Sequence, residues 1–162
     1  DEEFESFLLE ILSEWQITIP EIGSIKAKNP PYVILTSNRT RELSDAVRRR
    51  CFYLWLDYPE FKKELAIVKS KVPGCDLRLA KQICIFMGLV RTQKLEKVPG
   101  IAETLDWARS LVTLHQKYLD PKMVEATLGI VFKDKIDVTN VKDSLADFFE
   151  KVDVKFKDLP AD

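Results

Sequence analysis

Glycine is scarce in this chain, and its five copies (Gly23, Gly74, Gly88, Gly100 and Gly129) are scattered. None precedes a Lys-Ser or Lys-Thr pair, so there is no Gly-x-x-x-x-Gly-Lys-Ser/Thr loop to cradle β- and γ-phosphates. Histidine occurs once, at His115, and no Gly-x-Ser-x-Gly turn accompanies it, which argues against Ser-His or Cys-His nucleophilic catalysis. The cysteines (Cys51, Cys75 and Cys84) are odd in number and lack metal-ligand spacing. They point to a reduced, cytoplasmic setting and to packing roles, with no metal site. No apolar run approaches the roughly 20 residues that span a bilayer, and nothing reads as a signal peptide. An excess of either charge is also missing: 25 Lys and Arg against 26 Asp and Glu leave a net charge of −1. That balance gives no support to a dedicated nucleic-acid or anionic-membrane binder. What is present is apolar content of 46% in 162 residues, enough for one core or two small ones.

The most informative stretch runs from Tyr32 to Tyr58. Tyr32-Val33-Ile34-Leu35 is continuously apolar, without alternation, which predicts a strand buried on both faces, as in parallel α/β sheets. Thr36-Ser37-Asn38 follows, a polar triplet where open α/β sheets bind ligands. Ser44 or Asp45 can cap a short helix reading Ala46-Val47-Arg48-Arg49-Arg50-Cys51. Phe52-Tyr53-Leu54-Trp55-Leu56 reads as a second strand, ended by Asp57-Tyr58-Pro59.

Three pieces of this stretch, Ile34-Leu35-Thr36-Ser37-Asn38, Leu43-Ser44-Asp45-Ala46 and Arg48-Arg49-Arg50-Cys51, resemble the MoxR-type AAA+ ATPases that work with von Willebrand factor A domain proteins. The resemblance covers nearly the whole chain. It implies an α/β fragment of an AAA+ nucleotide-binding core (residues 1–58), then an all-α helical lid domain (59–162). It also implies that Asn38 is sensor 1, placing the attacking water, and that Arg50 is the arginine finger acting in trans, with Arg49 in reserve. A sensor 2 arginine belongs near the start of the third lid helix. Counting from Gly100 puts Thr104 in that slot, with Arg109 nearest, so the contact is shifted or missing. The family's Walker B strand should lie just before Asp1. The expected whole is thus a larger ATP- and Mg2+-dependent hydrolase. It would be a hexameric homo-oligomer that remodels a protein client, such as a metalloenzyme, beside a von Willebrand factor A partner. This fragment alone is expected to be inactive.

Elsewhere the pattern is plainer. Phe4, Phe7, Leu8, Ile11 and Leu12 give an amphipathic helix over 2–14. Alternation around Pro20-Glu21-Ile22-Gly23 gives a β-hairpin, either pointing into a ring pore, as the family implies, or merely covering a sheet edge. From Glu60 onward only helices are expected: one through Phe61, Leu65 and Val68, and one capped by Asp76. The next runs from about Ala102 to His115, another starts at Asp120-Pro121, and the last starts at Thr139 or Asn140, with a frayed tail from Lys151.

Plainer readings stand beside the functional ones. Asn38 could satisfy its own turn. Consecutive arginines point about 100° apart on a helix, so all three cannot serve one site, and Arg48 suits the helix end. Two other functions remain open: a stand-alone adaptor or oligomerisation module, and a clamp-loader-like DNA-processing AAA+ protein. Core strands lacking their neighbours would also leave apolar edges that favour self-association.

Overall fold

The computed structural model describes residues 2–37 and 42–159. Among them the chain is mainly helical, with eight helices and one two-stranded sheet. It divides into two compact units, Asp1–Leu56 and Asp57–Asp162. No helix among the described residues is long and apolar enough to cross a membrane.

The first unit begins with α1 (Glu2–Glu14) and continues into β1 (Gln16–Ile19) and β2 (Gly23–Lys26). The strands pair antiparallel, Ile17 opposite Ile25 and Thr18 opposite Ser24. Gly23 closes the turn at φ +89°, a conformation that costs glycine nothing and a β-branched residue much. Glu10 on α1 pins the hairpin: its carboxylate accepts bonds from Gln16 Nε2 (3.0 Å), the Thr18 amide (3.1 Å) and the Thr18 hydroxyl. Next comes α2 (Asp45–Arg48), one turn long, with the Ser44 hydroxyl accepting from the Val47 amide. Val47 is its one buried residue.

Two expectations fail here. Tyr32–Leu35 and Phe52–Leu56 form no strands, and their side chains lie in the open, Tyr32 and Phe52 completely so. A strand needs a neighbour for its amides and carbonyls, and the only sheet among the described residues is the hairpin, which pairs with itself. The α/β part of the expected fold is therefore corrected at these two runs. The basic helix is also shorter than expected, ending at Arg48 with Arg49 as its C-cap.

The second unit holds α3 (Phe61–Lys71), α4 (Leu77–Val90), α5 (Ile101–Thr113), α6 (Pro121–Val131), α7 (Lys135–Asp143) and α8 (Leu145–Lys157). Its axis is α4, ten of whose 14 residues are buried, far beyond one amphipathic stripe. Phe86 sits at the centre, its ring 5.2 Å from Trp107 and 5.4 Å from Phe148. Trp107 Nε1 donates to Thr127 Oγ1 at 2.9 Å, so the buried indole is paired. Asp76, Asp120 and Asp134 each accept an amide of the helix they cap. His115, the only histidine, takes φ +56° just past α5, the left-handed position glycine usually fills.

The carboxyl end departs from expectation. Instead of one helix from Thr139 or Asn140, α7 starts at Lys135 behind an Asp134 cap, and α8 runs unfrayed past Lys151. The α7 stretch hides in the sequence because one of its two buried residues is Asp137. That carboxylate accepts the Glu96 and Lys97 amides at 2.9 and 3.0 Å, tying down the loop ahead of α5.

The bonds to Glu10 favour its ionised form and hold its pKa below the ordinary carboxylate value, the Thr18 hydroxyl contributing most. The folded pKa is depressed, so this stabilisation is complete above the unfolded-state value and is lost as pH falls through the folded one. Amides of β1 should therefore lose hydrogen-exchange protection on acidification through the carboxylate range. In Glu10→Gln that pH dependence should be absent.

Candidate functional site

The arginine triplet splits into three fates. Arg48 pairs weakly with Asp45 at 3.7 Å, both side chains exposed. Arg50 is tethered: Nε donates to Ser13 Oγ on α1 at 2.6 Å and Nη1 to the Ala46 carbonyl at 2.8 Å. Arg49 is exposed, and its guanidinium has no partner among the described residues. Thus the residue matched to the finger is held against its own unit, and the reserve candidate is the free one. Asn38, the expected sensor 1, lies outside the described residues.

In the helical unit, Thr104 and Arg109 stand apart in environment. Arg109 is exposed and pairs with Asp106 at 2.9 Å, one helical turn away. Thr104 is fully buried in a polar cluster built around Arg91 and Glu64. Arg91 grips Glu64 bidentately, Nη1 to Oε2 at 2.7 Å and Nη2 to Oε1 at 2.8 Å. Its remaining donors reach the Pro99 carbonyl at 2.9 Å, the Gly100 carbonyl at 3.3 Å and Thr104 Oγ1 at 3.0 Å. The Thr104 hydroxyl in turn donates to Glu64 Oε1 at 2.8 Å. The face of the guanidinium lies 5.0 Å from the Tyr58 ring centre, a cation–π distance.

Each partner comes from a different element. Glu64 is in the first turn of α3, Arg91 caps α4, and Thr104 is in the first turn of α5, where Gly100 is the N-cap. Glu103 completes that helix start by accepting the Gly100 amide at 2.9 Å. The cluster is structural in its geometry, since every donor and acceptor points inward to a partner. Among the described residues no buried side-chain nitrogen or oxygen lacks one.

Sequence reasoning singled out Thr104 but missed Glu64 and Arg91. An Arg right after a buried helix and a Glu opening the preceding one are a weak signal, because exposed charges at helix ends look the same.

Beside this cluster an open cleft of about 330 Å3 is lined by Phe61, Cys84, Ile85 and Leu159, with Lys155 and Asp158 also at its edge. Burial pushes the Cys84 thiol well above its ordinary pKa, which keeps it protonated and inert. No group of three or more His, Cys, Asp or Glu among the described residues could hold a metal ion.

The Glu64–Arg91 pair is 2% and 7% exposed, so removing one partner strands a buried charge. Arg91→Met should destabilise the helical unit by about 3–5 kcal/mol in chemical denaturation. The double substitution Glu64→Leu with Arg91→Met should cost markedly less than Arg91→Met alone. Equal losses in the single and double variants would mean that the charges do not interact.

Compared with protein families, with characterised proteins and with solved structures, the chain matches none.

Proposed function

We propose that the chain is the carboxyl-terminal part of a MoxR-type AAA+ ATPase. The carrying observation is one of sequence order: Ile34 to Asn38, Leu43 to Ala46 and Arg48 to Cys51 follow one another at the spacing of sensor 1, finger helix and finger in that family. A helical unit after Pro59 is in keeping with a lid. In this reading the longer protein assembles into a ring, and ATP with Mg2+ is bound by segments outside these residues. Asn38 positions the attacking water, and an arginine of the triplet meets the phosphates of a neighbouring subunit. Guanidinium chemistry suits that task, because a permanently charged fork stabilises the equatorial oxygens of the transferring phosphoryl group.

Between the two finger candidates, geometry favours different virtues. Arg50 is pre-positioned by Ser13 and Ala46, and Arg49 is free to reach outward. The lid contribution rests on Arg109, exposed and needing only to leave Asp106. The committed hydroxyl of Thr104 favours a lid without a sensor 2 contact from that position. A stand-alone adaptor that never touches nucleotide is the second reading, supported by this same burial and by the lack of a phosphate loop.

The chain itself should give no ATP heat in calorimetric titration, and a sub-micromolar affinity would refute the fragment reading. In the longer ATPase, Asn38→Ala and the alanine variant of the true finger should each abolish most turnover. An arginine finger accounts for a factor of about 10³–10⁵. Undiminished hydrolysis in the triple variant Asn38→Ala, Arg49→Ala, Arg50→Ala would dispose of the assignment.

A further inference from the structure

The single turn of α2 is too short to hold itself. Its four residues cannot repay the cost of nucleating a helix, since isolated helices below about 12–15 residues are marginal in water. Contacts from α1 hold it at both ends. At its start the Glu5 carboxylate accepts the Ser44 amide at 3.1 Å, and past its end the Ser13 hydroxyl accepts Arg50 Nε at 2.6 Å. Between these points Val47 is buried. The arginines are therefore presented on a turn whose place is set by a neighbouring helix.

The contact with Ser13 divides Arg50 from Arg49. A guanidinium takes two oxygens of one anion through a pair of N–H groups, and Nε carries a single hydrogen. On Arg50 that hydrogen goes to Ser13, and the Ala46 carbonyl takes one from Nη1 at 2.8 Å. Arg50 cannot offer the fork that uses Nε without first leaving Ser13. Arg49 is the C-cap of α2, exposed, and its guanidinium is unpartnered among the described residues, so its whole fork is open. Arg48 is turned back to Asp45.

We propose that Ser13 is a positioning residue: it parks Arg50 against α1 and leaves Arg49 as the arginine of the triplet that meets an oxyanion arriving from outside. The hold on Arg50 is a property of these residues alone. That the oxyanion is a neighbouring subunit's phosphate, with Arg49 as the finger, rests on the ATPase reading. Position in the sequence puts Arg50 first for that role, and the hydrogen bond from its Nε reverses the order.

Labelling the 162-residue chain with phenylglyoxal, which condenses with free guanidinium groups, and reading each arginine by tandem mass spectrometry tests this. A surface hydrogen bond is worth a factor of about two to ten, so Arg50 should react that much more slowly than Arg49. Ser13→Ala should raise the Arg50 rate by about the same factor and leave Arg49 as it was. Ser13→Thr keeps the hydroxyl and should keep Arg50 slow, a rescue that a general loosening of the unit would not give. Ser13 is exposed, and unchanged circular dichroism would show that the variants still fold. Equal rates for Arg49 and Arg50 in the unaltered chain overturn the proposal. So do an Arg50 rate indifferent to Ser13→Ala, a matching rise at Arg49, or a threonine variant that behaves like the alanine one. In the longer ATPase, Arg49→Ala should lower kcat by the factor of about 10³–10⁵ that a finger carries, and Arg50→Ala should keep most of it. The reverse order, or loss in both, refutes Arg49 as the finger and spares the ATPase reading. Full turnover in both refutes the ATPase reading, and the hold of Ser13 is then decided by the labelling alone.

Discussion

Arg91 makes five hydrogen bonds from the end of α4, to Glu64, Thr104 and the Pro99 and Gly100 carbonyls, and the helical unit is assembled around that fixed point. Taking a guanidinium and a carboxylate out of water costs several kcal/mol for each ion, recovered only when the remaining donors and acceptors are met. Here they are met by carbonyls at the start of α5 and by a hydroxyl one turn in. The pair therefore specifies a position as much as it adds stability: α3, α4 and α5 can converge in one arrangement that satisfies all of it. The Phe86, Trp107 and Phe148 rings, from α4, α5 and α8, pack together in the interior of the same unit. Asp137 does for the loop at Glu96 and Lys97 what Arg91 does for the one at Pro99 and Gly100.

How much of this was legible follows from which signals are local. Asp76, and Asp120 with Pro121, announce their helices because capping depends on three or four adjacent residues. The hairpin around Gly23 is legible for the same reason. By contrast, α7 escapes a search for apolar periodicity, since Asp137 fills an inward position with a carboxylate whose partners are 40 and 41 residues away. Thr104 shows the same limit at the candidate site. Counting from Gly100 finds the residue, but its hydroxyl is taken up by Glu64, a partner no spacing rule points to.

The first unit fails differently. Tyr32–Leu35 and Phe52–Leu56 carry the side chains of buried strands, yet no strand flanks either of them among the described residues. A sheet is a property of neighbours. The backbone of an unpaired strand gains nothing by being straight. The two runs thus keep their composition and lose their secondary structure, and their apolar surface becomes the least satisfied part of the chain.

That contrast bears on the arginines between them. Because α2 is a single turn, the orientation of Arg50 is set less by helix geometry than by what α1 offers, namely Ser13. A side chain held by one serine and one carbonyl at the surface is held weakly, since each exposed bond is worth about 1 kcal/mol or less. Any anionic partner offering two oxygens in a fork would compete on favourable terms, because bidentate pairing of a guanidinium is roughly twice as strong as a neutral hydrogen bond. If Arg50 is the finger proposed above, its tether is a resting position that a phosphate must break. Arg49, with no tether to break, would answer such a partner first.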